Sequence, residues 1–177
     1  MDKKAIIETE RLYMRELCRE DFDSLCKILQ DEKVMYAYEG AFTDEEVNIW
    51  LDRQLERYKK YGFGLWAVIL KESEELIGQC GLTMQQWKGE EVLEIGYLFM
   101  RYYWHRGYAT EAAKACKKYA FEVLHATEVC SIIRDTNIPS QKVALRNGMT
   151  VKEGCYIKHY RGVDMPHYRY TTFSESK

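Results

Sequence analysis

Proline is almost missing from this chain, with two in 177 residues, and glycine is modest at eleven, which excludes collagen-like and linker-rich architectures. No apolar run approaches the roughly 20 residues needed to cross a bilayer, so no membrane partner is expected. The opening Met1-Asp2-Lys3-Lys4 runs into a polar strand pattern rather than a secretory leader, and a soluble cytoplasmic protein is expected. C-x-x-C pairs are absent too. The six cysteines, at 18, 26, 80, 116, 130 and 155, are scattered and none clusters with histidine, so reduced thiols and no metal are expected. Excess positive charge is also lacking. Lys and Arg number 26 against 28 Asp and Glu, a net charge of −2, too little for a surface that tracks phosphates, and no nucleic-acid partner is expected. The nearest approach to a basic cluster, Lys114, Lys117 and Lys118, reads as the solvated face of a helix.

What is present is the composition of a compact globule, 46% hydrophobic and 31% charged, and one domain over residues 1–177 is expected. Residues 10–15 alternate like a half-buried strand, and residues 19–30 place Phe22, Leu25, Cys26 and Leu29 on one helical face. Thr43 and Glu46 have capping-box spacing ahead of the stripe Val47, Trp50, Leu51, Leu55, Tyr58, which ends near Gly62. Strand runs at 65–70, 76–84 and 92–99, separated by polar turns, predict an antiparallel meander. A helix at 110–124 turns Ala112, Ala113, Cys116, Tyr119, Ala120 and Val123 to the core, followed by a strand at 128–134. Pro139 opens a helix over 140–147 that Gly148 stops, and strands at 151–158 and 165–173 are joined through Arg161-Gly162. This order predicts an α+β fold with one mixed central sheet of about seven strands flanked by about four helices.

The segment Tyr103-Trp104-His105-Arg106-Gly107-Tyr108-Ala109-Thr110-Glu111-Ala112-Ala113 leads from a strand through a glycine-containing loop straight into a helix. Free N–H groups of a first helical turn, with the positive end of the helix dipole, suit an anionic ligand, and Gly107 and Ala109 leave it clearance. Taken alone, the same loop could simply be a turn feeding a tightly packed helix. A second segment, Asn137-Ile138-Pro139-Ser140 through Arg146-Asn147-Gly148-Met149, stands at the end of the next strand. Together the two resemble the acetyl-CoA motifs of the GNAT acetyltransferases, and Trp104 with the Gly107–Ala113 run most resembles the RimJ/RimL branch. Glu8 to Leu12 with Arg15, Glu94 to Tyr97, and Glu153-Gly154 extend the resemblance over nearly the whole chain.

That resemblance implies a fold with a cofactor cleft splayed open in mid-sheet, acetyl-CoA as donor and CoA as product. It places the pantetheine arm on the backbone of Leu98, Phe99 and Met100 and the pyrophosphate on the amides of Arg106, Gly107, Tyr108, Ala109 and Thr110. Asn137 would hold the pantetheine side of the second motif, Ser140 would lie near the thioester, and Arg146 would approach the phosphate or adenine end or remain a solvated charge. Glu94 matches a position that serves as general base in similar enzymes, or else is a structural carboxylate pairing across the sheet. The tyrosine that many relatives carry four residues after the Ser140 position is Ala144 here; the RimJ/RimL type is similar in lacking it, and the resemblance implies a serine at the Ser140 position as the substitute proton donor, unless Ser140 is simply a first-turn helix residue satisfying backbone donors. His105 stands where glycine is usual, and Met149 where phenylalanine is usual, the latter a core exchange.

An acceptor wall is expected between the first two helices, where Tyr36, Tyr38 and Glu39 offer an aromatic and acidic surface suited to a cationic amine, or where the aromatics close over the core. His159 is a further acceptor-side candidate; it and His167 lie on the last two strands and are expected to meet across the sheet without making a zinc site. Cys155 reads as a small buried hydrophobe, with an acetyl carrier as the less common alternative. The implied activity is transfer of acetyl to a protein N-terminal α-amine or a small-molecule amine in a ternary complex, by a monomer or homodimer. A catalytically silent acyl-CoA-binding module is the alternative.

Overall fold

The computed structural model describes residues 4–175, except for the side chains at 152 and 153, so Met1-Asp2-Lys3 and the Glu153 side chain lie outside the described residues. The chain runs β1 (Ile7–Glu8), β2 (Leu12–Arg15), α1 (Phe22–Leu29), α2 (Asp44–Tyr61), β3 (Leu65–Leu70), β4 (Glu75–Trp87), β5 (Glu90–Phe99), α3 (Tyr108–Glu122), β6 (Glu128–Arg134), α4 (Ile138–Arg146), β7 (Thr150–Tyr160) and β8 (Val163–Phe173). Short 3-10 turns at Arg19–Asp21, Met35–Tyr38 and Arg101–Tyr103 fill the connections. The class is α+β with a mixed sheet, as the element order implies. Its eight strands, ordered β1-β2-β3-β4-β5-β6-β8-β7, exceed the expected seven by β1, whose two residues are too few to form an alternating pattern.

Every neighbouring pair is antiparallel except β5–β6, which α3 connects as a parallel crossover. β3 is buried at all positions, because elements cover both faces of the sheet there, and its sequence is accordingly a continuous apolar run. At Gly81 a Cβ would stand 2.0 Å from the Gly64 carbonyl oxygen, so β4 can pass this close only with glycine at that position.

Local signals produce the helix ends. Thr43 Oγ1 accepts from the Glu46 N–H at 3.2 Å while the Glu46 carboxylate accepts from the Thr43 N–H at 2.9 Å, and Gly62 ends α2 at φ 76°. In α3 the small face is buried as expected at Ala112, Ala113, Cys116 and Ala120, but Val123 lies past the last helical residue and is exposed. Lys117 is not simply a solvated charge: it is partly buried and donates to the Asn147 carbonyl at 2.7 Å, tying the end of α4 to α3. Cys155 is exposed rather than buried, because it lies on β7 at the edge of the sheet.

The β7–β8 hairpin closes through Arg161 (φ 49°) and Gly162 (φ 75°), a two-residue turn with both residues left-handed, which matches the twist of the strands. Its register pairs His159 with Asp164 and Tyr156 with His167, so the two histidines do not meet. His167 is buried with Nδ1 on the Met165 carbonyl at 2.8 Å, and burial pushes its pKa down.

Candidate active site

The sheet opens where β5 meets β6. These strands share one registered pair, Glu94 with Cys130, after which β6 continues its ladder with β8 alone. The Ser131 hydroxyl still reaches the Ile95 carbonyl at 2.8 Å, and the Glu94 carboxylate accepts from the Ile132 N–H at 3.1 Å. Beyond them lies a cavity of about 1560 Å³. A pocket for one small ligand is roughly 300–1,000 Å³, so this one has room for two reactants.

Backbone phase along β5 decides which groups face the opening. The Met100 N–H donates to the Ile77 carbonyl and the Met100 carbonyl accepts from the Tyr103 N–H, both at 2.9 Å. Because an antiparallel ladder alternates, Leu98 also turns its backbone to β4, whereas Tyr97 and Phe99 turn theirs to the gap. Of the expected pantetheine-pairing residues Leu98, Phe99 and Met100, Phe99 alone presents backbone groups to the cleft. Its carbonyl already accepts from Trp104 Nε1 at 2.9 Å, leaving the N–H.

The corner before α3 is shaped by two left-handed residues, His105 at φ 62° and Gly107 at φ 82°. The N–H groups of Tyr108, Ala109 and Thr110 meet no acceptor among the described residues; the Glu111 N–H is the first to bond back, to Gly107 at 3.0 Å. These three residues and Gly107 line the cavity. The side chain of Arg106 instead lies over Tyr102, 4.9 Å from the ring centre, outside the lining. A clamp from the start of the chain holds the corner. Glu111 accepts from the Thr9 hydroxyl (2.6 Å), the Arg11 N–H (3.0 Å) and Arg11 Nε (2.7 Å), and Arg11 Nη1 reaches the Arg106 carbonyl at 3.0 Å. Burial opposes ionisation of Glu111, but these donors outweigh it and hold the carboxyl below its usual range. The Thr9–Leu12 motif is thus accounted for physically; its spacing from Glu111 hid the contact.

At the opposite corner Asn137 caps α4, its Oδ1 accepting from the Ser140 N–H (3.3 Å) and the Tyr36 hydroxyl (2.8 Å). Capping is therefore the work of Asn137, and the Ser140 hydroxyl lines the cavity without a hydrogen bond to a described residue. The Ser140 carbonyl accepts from the Tyr97 phenol at 2.9 Å, whose burial raises its pKa and keeps it a neutral donor. Ala144 is buried, and exposed Arg146 lines the cavity further along α4.

Alternate residues of β5 point to opposite faces. Tyr97 reaches α4, while Glu94 feels the charges of Arg57 on α2 and Lys158 on β7. Burial pushes the Glu94 pKa up, and Lys158, the Ile132 N–H, Arg57 and Thr83 together do not reverse it. On this side Tyr38 lines the cavity and also packs edge-on against Phe42 and Trp50, with centroids 6.4 and 6.0 Å away, at the margin of the core. Glu39 is not a free acid for an amine: it pairs with Arg134 at 2.5 Å and lies outside the lining. His159 sits on the exposed rim, paired with Asp164. Among the described residues no group of three or more His, Cys, Asp or Glu is placed to hold a metal ion.

The family model of an acetyltransferase (GNAT) domain matches residues 11–150. The chain belongs to the GNAT acetyltransferase family. The GNAT chain is 32% identical over 153 residues to an uncharacterized N-acetyltransferase of Bacillus subtilis, YnaD, covering 86% of each. It superposes on a GNAT-family acetyltransferase from Bacillus anthracis with TM-score 0.80 at 28% identity, covering 94% of this chain and 97% of that one. The ribosomal L7/L12 α-N-protein acetyltransferase RimL, solved with CoA, shares the fold at TM-score 0.76 and 16% identity, with 96% and 98% covered. Within this family the chain is an acetyl-CoA-dependent acyltransferase acting on amines.

Proposed function

We propose that the protein transfers acetyl from acetyl-CoA directly to a primary amine, on a small molecule or a protein N-terminus, with both reactants held together in the cleft. The observation that carries this reading is the Glu94 carboxylate at the point where β5 and β6 part, on the floor of a cavity large enough for both. The free N–H groups of Tyr108, Ala109 and Thr110, at the positive end of α3, suit a pyrophosphate. The Phe99 N–H and the Asn137 side-chain amide suit the polar groups of the pantetheine arm. The bound cofactor supplies an acetyl group activated as a thioester. Alkyl amines are mostly protonated at neutral pH. Glu94 takes up that proton, directly or through water, and its raised pKa brings it closer to the pH at which a base is effective. The Ser140 hydroxyl gives its proton to the departing sulfur and regains one from the newly acylated nitrogen, so the serine ends as it began, and Tyr97 fixes that turn of α4 by its bond to the Ser140 carbonyl.

Thiol release with acetyl-CoA and a varied amine tests this reading. Direct transfer gives intersecting initial-velocity lines, whereas parallel lines with an acetylated cysteine trapped in the absence of amine would overturn it. Glu94→Gln is expected to lower kcat by roughly 10²–10⁴-fold. Because burial raises the Glu94 pKa, wild-type kcat/KM should fall as pH drops through a value above the ordinary carboxylate range. The variant should lose that limb and recover as alkaline pH deprotonates the amine; an unchanged profile would return Glu94 to a structural role.

A further inference from the structure

The half of the cavity facing Glu94 holds more positive charge than its acids neutralise. Arg53 and Arg57 stand one turn apart on α2 and both line it, and Lys158 lines it from β7. The neighbouring acids are committed elsewhere, Glu39 to Arg134 and Glu46 to Arg161, each at 2.5 Å. Among the described residues Arg57 hydrogen-bonds only to a neutral group, Gln54 Oε1 at 3.2 Å, and neither Arg53 nor Lys158 makes an ion pair. Three cations thus face one carboxylate. Burial and the adjacent Arg53 both oppose the charge of half-buried Arg57, and the Glu94 carboxylate only partly offsets them.

We propose that the acceptor is a small primary amine that carries its own carboxylate or phosphate, with the amine at Glu94 and the anion on Arg57 and Arg53. This rests on the acetyltransferase reading and narrows its substrate class. A guanidinium presents a planar fork of donors that matches a carboxylate or phosphate two bonds at a time, and two such forks one helical turn apart form an anion site. Glu94 next to that site receives the ammonium end, so the pocket is polarised as an amino acid or a phosphorylated amino alcohol is. Polyamines and aminoglycosides bring further cations to a surface already in excess of positive charge, and are rejected by like-charge repulsion.

The test is thiol release at saturating acetyl-CoA with matched acceptors: L-amino acids against their amides, phosphoethanolamine against ethanolamine, and spermidine as the polycation. The anionic member of at least one pair is expected to show a kcat/KM at least about tenfold above its partner, with spermidine inactive. Arg57→Gln should remove most of that ratio through KM, by roughly 10–100-fold, and because Arg57 also lowers the Glu94 pKa, any change in kcat should be the same for the anionic and the neutral member of a pair. Arg53→Gln, at an exposed position where folding is not at stake, should act in the same direction and more weakly. Neutral amides or spermidine used as well as the anionic amines, or a ratio that survives both substitutions, would overturn the inference. If CoA raises the melting temperature yet no anionic amine is acetylated, the inference fails and the cofactor reading stands. If neither binding nor transfer is seen, the reading beneath it fails as well.

Discussion

The two walls of the cleft are built on different principles. The α3–α4 wall consists of two short contiguous segments, 103–113 and 137–149, and offers mainly backbone groups: the amides of Tyr108, Ala109 and Thr110, with Asn137 as a cap. The opposite wall presents long side chains held from behind by ion pairs across the chain: Arg134 lines the cavity and bonds to Glu39 over 95 residues of sequence, and Glu46 lines it and bonds to Arg161 over 115. Backbone donors depend on φ and ψ and so on a few small residues, whereas a wall of ion pairs depends on the identity of each charged side chain. The first arrangement suits one fixed anionic ligand; the second, on the proposal above, sets which amine is admitted.

Separate damage to the two walls should have separate effects. Gly107→Val places a β-branched residue at φ 82°, with a Cβ 3.4 Å from Arg11 Nη2, and should weaken CoA binding by roughly 100-fold as the corner shifts and its charge-assisted bonds are lost. Calorimetry would reveal this, and an unchanged affinity would remove the corner from the binding site. Arg134→Gln breaks the pair with Glu39 and the bond to the Tyr36 carbonyl (3.1 Å). A several-fold rise in the acceptor KM with CoA affinity intact is expected from a pair of this exposure; an equal loss for both reactants would show that the walls are not independent. The smallest effect concerns His105, held at φ 62°, in the left-handed region that favours glycine. His105→Gly should relieve left-handed strain and stabilise the fold by about 0.5–1 kcal/mol in denaturant titrations, and destabilisation would mean that the imidazole itself holds the loop.

This difference also explains what could be read in advance. The strand–glycine–helix corner, the Thr43–Glu46 cap and the meander were legible because each is encoded within a few consecutive residues. Glu94 was visible as a carboxylate on the right strand, but not its hydrogen bond to the Ile132 N–H, which follows from the parting of β5 and β6. Met100 looked suitable until the ladder phase turned its backbone toward Ile77. Glu39 read as an acid for an amine because nothing local announces Arg134 as its partner. Arg53 and Arg57 were hidden in plain sight, since a pair of arginines spaced by four on an amphipathic helix ordinarily marks its solvated face.

Amide hydrogen exchange, resolved by residue with and without saturating CoA, tests most directly the claim that backbone donors of the α3 corner and of the end of β5 hold the cofactor. The amides of Tyr108, Ala109, Thr110 and Phe99, which face the cleft, should slow by roughly tenfold or more, while those lining the acceptor side of α2 stay as they were. Unchanged exchange at these four positions in CoA-saturated protein would contradict it.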